Sequence, residues 1–433
     1  MINTKEITKE YLEYMKGKYW PIHKSEKLID STFPTCFVIS GAVDWFNRKI
    51  TNNPFSNEAY ATYQRVFRHF DEPTRTHQPF FWMLLDTSWN LYPREKVIED
   101  NFRFATEVLG LDSNRLKITY WKGGKVYGDG INPSADIEGI NRGNEFERMK
   151  NEGIFIGKDE EAINTWKKLG IKDEQLSPVG ETGGINDDRD AILLNAREHF
   201  AGVRTEPYYL IGSKKEWYEI GVFLDEAYIK KTIALKLNIP QEALEDSLSS
   251  NKFLLKIKPR VVPGGFGLER IAMAANNLTS VYELEPLKNV KEILMNDSKD
   301  VNYEDVEKQT KEFSKSRMSL YRSNLLKTQE DINERIVENI SSYLHSLPWL
   351  VNDGAYKLRG GGGSEDRQRA GIYRKVLRTI IADMELVNCN NYNSALDVIL
   401  DFYSDSIEPL GNNLREKCIE EIDKQKKRIS STK

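Results

Sequence analysis

The sequence has little cysteine, little histidine and no long apolar run. Its cysteines, Cys36, Cys389 and Cys418, lie far apart among 433 residues. That excludes a disulfide framework or a cysteine-built zinc cluster, and it points to reduced thiols in a cytoplasmic protein. The histidines His23, His69, His77, His199 and His345 form no H-x-x-x-H or C-x-x-x-H pair, so no zinc is expected. No apolar stretch approaches membrane-spanning length. The first residues lack the charged-then-apolar order of a signal peptide. Neither charge sign dominates: 62 Lys and Arg stand against 66 Asp and Glu, a net charge of −4. Such a chain does not attract nucleic acid through a global field, and any RNA contact must rest on a local basic face. Internal repeats are absent as well.

What is there is ordinary globular material, 39% hydrophobic and 30% charged. The length suits roughly two to three domains. Ile7, Tyr11, Leu12 and Met15 recur at helical spacing within residues 4–18. Strands are expected at 33–40, at Val66–Arg68 and Pro79–Leu85 across a polar turn, and at Leu116–Trp121, Glu206–Tyr209, Trp217–Leu224 and Phe253–Lys258. Helices are expected at Arg94–Leu109 and Asp159–Leu169, the latter within a Gly-, Asp- and Asn-rich region, 122–187. After about residue 285 strand signals vanish. Glu304–Ser346, Ser364–Asn388 and the charged tail from Asn412 read as helices, and the four glycines at 360–363 as a flexible joint. The expected class is α+β: an antiparallel sheet flanked by helices over residues 1–288, then an all-helical domain over 289–433.

The segment Pro263-Gly-Gly-Phe-Gly-Leu-Glu-Arg-Ile-Ala-Met273 packs three glycines into four positions and then places an arginine at the edge of an apolar run. Glycines allow close approach of backbone to a nucleotide, and a guanidinium can lie on adenine or reach phosphate. The segment resembles motif 3 of the class II aminoacyl-tRNA synthetases. Phe67-Arg68, a turn, then His77-Gln-Pro-Phe-Phe81 resembles motif 2 of the same class. Further stretches narrow the resemblance to the N-terminal half of the alanyl-tRNA synthetase family: Phe80-Phe-Trp-Met-Leu84, Phe37–Phe46, Thr205-Glu206 with Tyr208-Tyr209, Ser280–Glu285, Asn352-Asp-Gly354 and Arg369–Arg378. It is close over roughly 1–290 and looser over 290–390.

The resemblance implies activation of an amino acid, alanine or an alanine-like acid, by attack of its carboxylate on the α-phosphate of ATP, with Mg²⁺, and transfer to tRNA. Arg68 and Arg270 would be catalytic. Arg75, His77, Phe81, Met83, Gly265 and Gly267 would join them in holding ATP, with adenine between Phe81 and Arg270. Glu206 and Asp225 would hold the metal. Leu193, Gly202, Glu219, Val222, Pro263 and Gly264 would line the acyl pocket. Arg367, Gln368, Arg369, Arg374, Lys375 and Arg378 would meet the tRNA acceptor stem.

The departures fall on the amino-acid side. The family carries an aspartate for the substrate ammonium where this chain has Val262-Pro263-Gly264. Its pocket tryptophan falls near Leu193 and its base-reading asparagine at Gln368. The editing domain has no counterpart in these residues. ATP-handling positions are kept while acid-handling ones change, so a different acyl group is expected, with alanine a poor substrate. Two other readings stay open. In one the adenylate passes to a small amine, a peptide or a carrier protein; in the other the chain is a silent RNA-binding relic. The sequence names neither the acid nor the oligomeric state.

Overall fold

The computed structural model describes residues 2–29, 43–69, 72–126, 154–179, 200–212, 215–250, 252, 254–308, 331–358, 364–411 and 413–431. The strand expected at 33–40 and the joint at 360–363 lie outside them, as does the span 309–330.

Among the described residues the strands are β1 (Ile22–His23), β2 (Glu58–Phe67), β3 (Phe80–Trp89), β4 (Leu116–Trp121), β5 (Gly124–Val126), β6 (Ile154–Ile156), β7 (Leu176–Val179), β8 (Phe200–Ile211), β9 (Glu216–Glu219), β10 (Gly221–Lys230) and β11 (Leu254–Gly267). The main sheet runs β1-β2-β3-β11-β10-β8-β4-β7, with β9 on β8 and a separate β5–β6 pair. Its pairs are antiparallel except β1–β2 and β4–β7 at the two edges. The helices are α1 (Thr4–Gly17), α2 (Val43–Asn52), α3 (Arg94–Arg103), α4 (Glu160–Lys168), α5 (Lys231–Lys236), α6 (Leu268–Asn276), α7 (Leu287–Asp297), α8 (Ile332–Asn352), α9 (Ser364–Leu386), α10 (Tyr392–Ser404) and α11 (Leu414–Ser430). None is long and apolar enough to cross a membrane. The expected α+β class, an antiparallel sheet with flanking helices, is the observed one.

Paired residues share a face, and successive residues along a strand alternate faces. One face is covered by α1, α3, α4, α6 and the later helices. Phe80, Trp82 and Leu84 of β3, Phe223 of β10 and Phe266 of β11 enter that core. Trp349 of α8 stacks on Phe80 at 5.8 Å and meets Trp82 edge-on at 5.1 Å. The alternate residues Phe81, Met83 and Leu85 turn with Val66 to the other face, which forms a cleft. Near its far end Trp45 and Phe46 of α2 pack on Tyr60, Trp89 and Phe200.

Several boundaries differ from expectation. Trp217–Leu224 is two strands, divided at Ile220. β11 continues to Gly267, so the glycine-rich segment is itself a central strand. The reason for its glycines changes accordingly. A Cβ on Gly265, at φ +145°, would stand 1.9 Å from the Leu84 carbonyl oxygen, and one on Gly264 2.6 Å from Phe223 and Val97. These glycines admit neighbouring protein and not a nucleotide. Gly267 is the exception: its nearest neighbours are the Arg270 side-chain carbons at 3.8 Å.

Candidate active site

β2 delivers Arg68 at its end, where the Arg68 amide donates to the Pro79 carbonyl at 2.7 Å and closes the hairpin. The guanidinium lies 5.0 Å over the Phe81 ring. The returning loop is held by its own threonines: the His77 amide donates to Thr74 Oγ1 at 3.0 Å, and His77 Nδ1 stands 3.0 Å from Thr76 Oγ1. Arg75 points to solvent, and its carbonyl accepts from the Val281 amide at 2.8 Å.

α6 begins directly after β11, which places Arg270 in its first turn, against the same loop. Arg270 Nε donates to the Thr76 carbonyl at 3.3 Å, and Nη1 pairs with Glu219 Oε2 at 3.0 Å. Arg68, His77, Glu219 and Arg270 thus converge from three separate segments. Their fields are coupled. Loss of surrounding water, then the positive charges of Arg270 and Arg68, lower the His77 imidazole to about 4, against the pull of Glu219. Burial raises the Glu219 carboxyl, but Arg270 and Arg204 outweigh it and hold it below the usual range. With Arg68 over Phe81, the adenine position expected between Phe81 and Arg270 is shared with a guanidinium.

Glu206, 4% exposed, lies on the cleft side of β8. Arg204 Nε stands 3.1 Å from Oε1, and the Tyr208 hydroxyl donates to Oε2 at 3.3 Å. Arg204 was not singled out from the sequence; the alternation Arg204-Thr-Glu206-Pro-Tyr208 on a strand was the available signal. Asp225 must be corrected. It pairs in register with Val203, and Thr205 with Phe223, so Asp225 occupies the helix-covered face. There Arg260 stands 3.8 Å away, and burial raises its carboxyl against the fields of Arg94 and Arg260. Asp225 and Glu206 cannot share an ion across the sheet. Glu219 is the second carboxylate on the correct side: it pairs in register with Tyr208, two residues from Glu206. Among the described residues no group of three or more metal-capable side chains occurs.

Of the expected acyl-pocket residues, Leu193 lies outside the described residues. Val222 and Pro263 face the cleft, in register with Gly265 and Thr87. Gly264 faces the helices and lines no cleft. At Gly202 β8 passes close to β10: a Cβ there would stand 1.7 Å from the Asp225 carbonyl oxygen.

The expected RNA-facing residues lie on α9. Arg367 and Gln368 are exposed, and Arg374, Lys375 and Arg378 half-buried. Arg369 is a correction: it turns inward, 3% exposed, with Asp366 at 3.3 Å. Arg428 of α11 joins the cluster instead. Burial, then repulsion from Arg374 and Arg428, lowers the Arg378 guanidinium.

No family model matches the chain. Among curated proteins it is similar to the alanine–tRNA ligase of Leptospira interrogans serovar copenhageni, 23% identical over 368 residues, covering 83% of this chain and 33% of the relative. The alanine–tRNA ligase of Natranaerobius thermophilus is 23% identical over 418 residues, covering 94% and 38%. The chain therefore spans about a third of the length of the curated relatives it matches. A solved structure of apo S. aureus histidyl-tRNA synthetase aligns with a TM-score of 0.36 and 10% identity, over 63% of this chain and 65% of that one. The similarity to alanine–tRNA ligases over most of the chain agrees with the resemblance carried by its motifs.

Proposed function

We propose that residues 1–288 form an adenylating domain that activates a small amino acid or related carboxylic acid with ATP, and that residues 289–433 form a helical domain that receives the acceptor, a tRNA. The observation that carries this is the meeting of Arg68, His77, Glu219 and Arg270 at one end of the cleft. The acid's carboxylate oxygen attacks the α-phosphorus, the bond to the β-phosphate oxygen breaks, and pyrophosphate leaves with its electron pair. Arg68 stabilises the charge that develops on the α-phosphate oxygens. Arg270, fixed by Glu219 and the Thr76 carbonyl, holds the nucleotide, and His77 and Arg75 flank its phosphates. Glu206 and Glu219 would hold Mg²⁺, which commonly takes one or two carboxylates and completes its shell with phosphate and water oxygens. The ion would neutralise the phosphates. Reduced, buried Cys389 and Cys418 suit a cytoplasmic setting.

The acid side of the cleft has Pro263 where an ammonium partner is expected, so alanine is not the best substrate. The test is pyrophosphate exchange into ATP with each amino acid in turn, then acyl transfer to total tRNA. Exchange with one acid, falling about 10²–10³-fold in Arg68→Ala, supports the assignment. Unchanged exchange in that variant removes Arg68 from the chemistry. A non-tRNA acceptor is the second reading. It is favoured by the inward turn of Arg369, which shrinks the basic face of α9.

A further inference from the structure

A cavity of about 530 Å³ opens on the helix-covered side of the sheet, at the β1–β2 edge and away from the cleft. Leu12 of α1, Ile22, Trp349, Ile407 and Pro409 supply apolar walls. One corner is charged. Arg65 of β2, 6% exposed, lies 5.3 Å over the Trp349 ring, and its Nε donates to the Glu26 carbonyl at 3.1 Å. Its terminal nitrogens stand 3.6 Å from Asp353 and 3.4 Å from Glu408. Charge-assisted bonds close to roughly 2.7–2.9 Å when made. Glu408 Oε2 accepts no hydrogen bond among the described residues. The corner thus presents a cation and an anion side by side; the Tyr63 hydroxyl and the Ser25 amide donate to the Glu408 carboxylate, and its Oε2 faces Arg65 at 3.4 Å.

The pair joins a buried arginine to a half-buried glutamate at a long distance, and it is completed by a group that brings both an acceptor and a donor. The charged side chains lining the cavity are Arg65, Lys24 and Glu408, while Asp353, its side chain fully buried, stands behind Arg65. A ligand that meets both Arg65 and Glu408 must carry both signs of charge. The size lies within the range of small-molecule sites. We propose that this cavity binds a zwitterion with an apolar body, a free amino acid or short peptide. Its carboxylate sits on Arg65, its ammonium on Glu408, and its side chain against Trp349 and Ile407. This is a second site, separate from the cleft. Tyr63 and Arg65 face it, while Gln64 and Val66 between and beyond them face the cleft.

The test is ligand-observed NMR titration with L-leucine and L-phenylalanine, alongside 4-methylpentanoate and isopentylamine, which keep leucine's body but only one charge each. Pyrophosphate exchange is measured in parallel and reads the cleft alone. Expected is binding of at least one amino acid, with the singly charged analogues and Glu408→Gln about tenfold weaker or worse. Ile407→Trp, at a rim position 49% exposed, plugs the cavity and abolishes binding with exchange unchanged. Absence of binding by both amino acids overturns the proposal. So does equal binding of the singly charged analogues, or binding that survives both variants. Loss of exchange alone would count against the cleft assignment and leave this one standing.

Discussion

Nucleotide binding should draw a proton onto His77. In the free protein the ring stands beside Arg270 and Arg68, and partial loss of hydration together with these charges lowers it to about 4, against an ordinary 6.5. A polyphosphate bound between the two arginines would offset both. If the imidazole then returns only to its ordinary value, the uptake is about 0.7 proton per nucleotide at pH 6, about 0.2 at pH 7 and almost none at pH 8. The direction follows from linkage: the bound state, with the higher affinity for protons, gains stability as pH falls toward 6. Titration calorimetry in two buffers of different ionisation enthalpy measures the uptake. The nucleotide's own phosphate titrates in the same range, so the quantity that matters is wild type minus His77→Gln. Equal uptake in the two proteins would refute the reasoning, and so would a difference that does not shrink between pH 6 and pH 8.

Three further outcomes are expected. Glu206→Gln should lower exchange about 10²-fold or more and raise the Mg²⁺ requirement, while Asp225→Asn, on the other face of the sheet, should leave that requirement unchanged; the metal dependence of exchange in the two variants decides. Reversing Arg374 and Arg378 to Glu should abolish acyl transfer to tRNA and spare exchange, and wild-type transfer should fall steeply with salt; persistence of both activities points to another acceptor. Burial holds the Glu269 carboxyl at about 8, so the folded state binds the extra proton and stability drops as pH rises from about 4.5 through 8. Glu269→Gln should therefore unfold at higher denaturant than wild type at pH 9 and at a similar concentration at pH 4; a pH-independent offset would show that ionisation is not the cause.

Elements with strong local signals were readable from the sequence. Leu116–Trp121 is a strand at the boundaries its apolar and aromatic residues suggested, and Asp159 caps the helix that follows it through the Ala162 amide at 3.1 Å. Likewise Arg68, His77 and Arg270 could be grouped, because each sits in a short motif whose residues act together. What failed depended on register. Whether Asp225 or Glu219 shares a face with Glu206 is set by how β8, β9 and β10 pair, and a shift of one residue would reverse the answer. Arg369 has the same difficulty on a helix. Its spacing alone does not say which side of α9 meets the core. The glycines of β11 were located but misread, since a tight backbone crossing and an open nucleotide site ask for the same residue.

β3 is a partition with a different tenant on each side. Phe80 and Trp82 belong to the packing with α8, and Phe81 and Met83 belong to the cleft, yet all four hang on one run of backbone. Sequence change in the helical region therefore cannot drift freely. A bulkier or smaller neighbour for Trp349 shifts the strand itself, and with it the ring beneath Arg68. Swapping the helical region to redirect the acceptor would demand a matched Phe80–Trp82–Trp349 seam. A chimaera without that seam should fold and still lose activation, though none of the cleft residues had been touched.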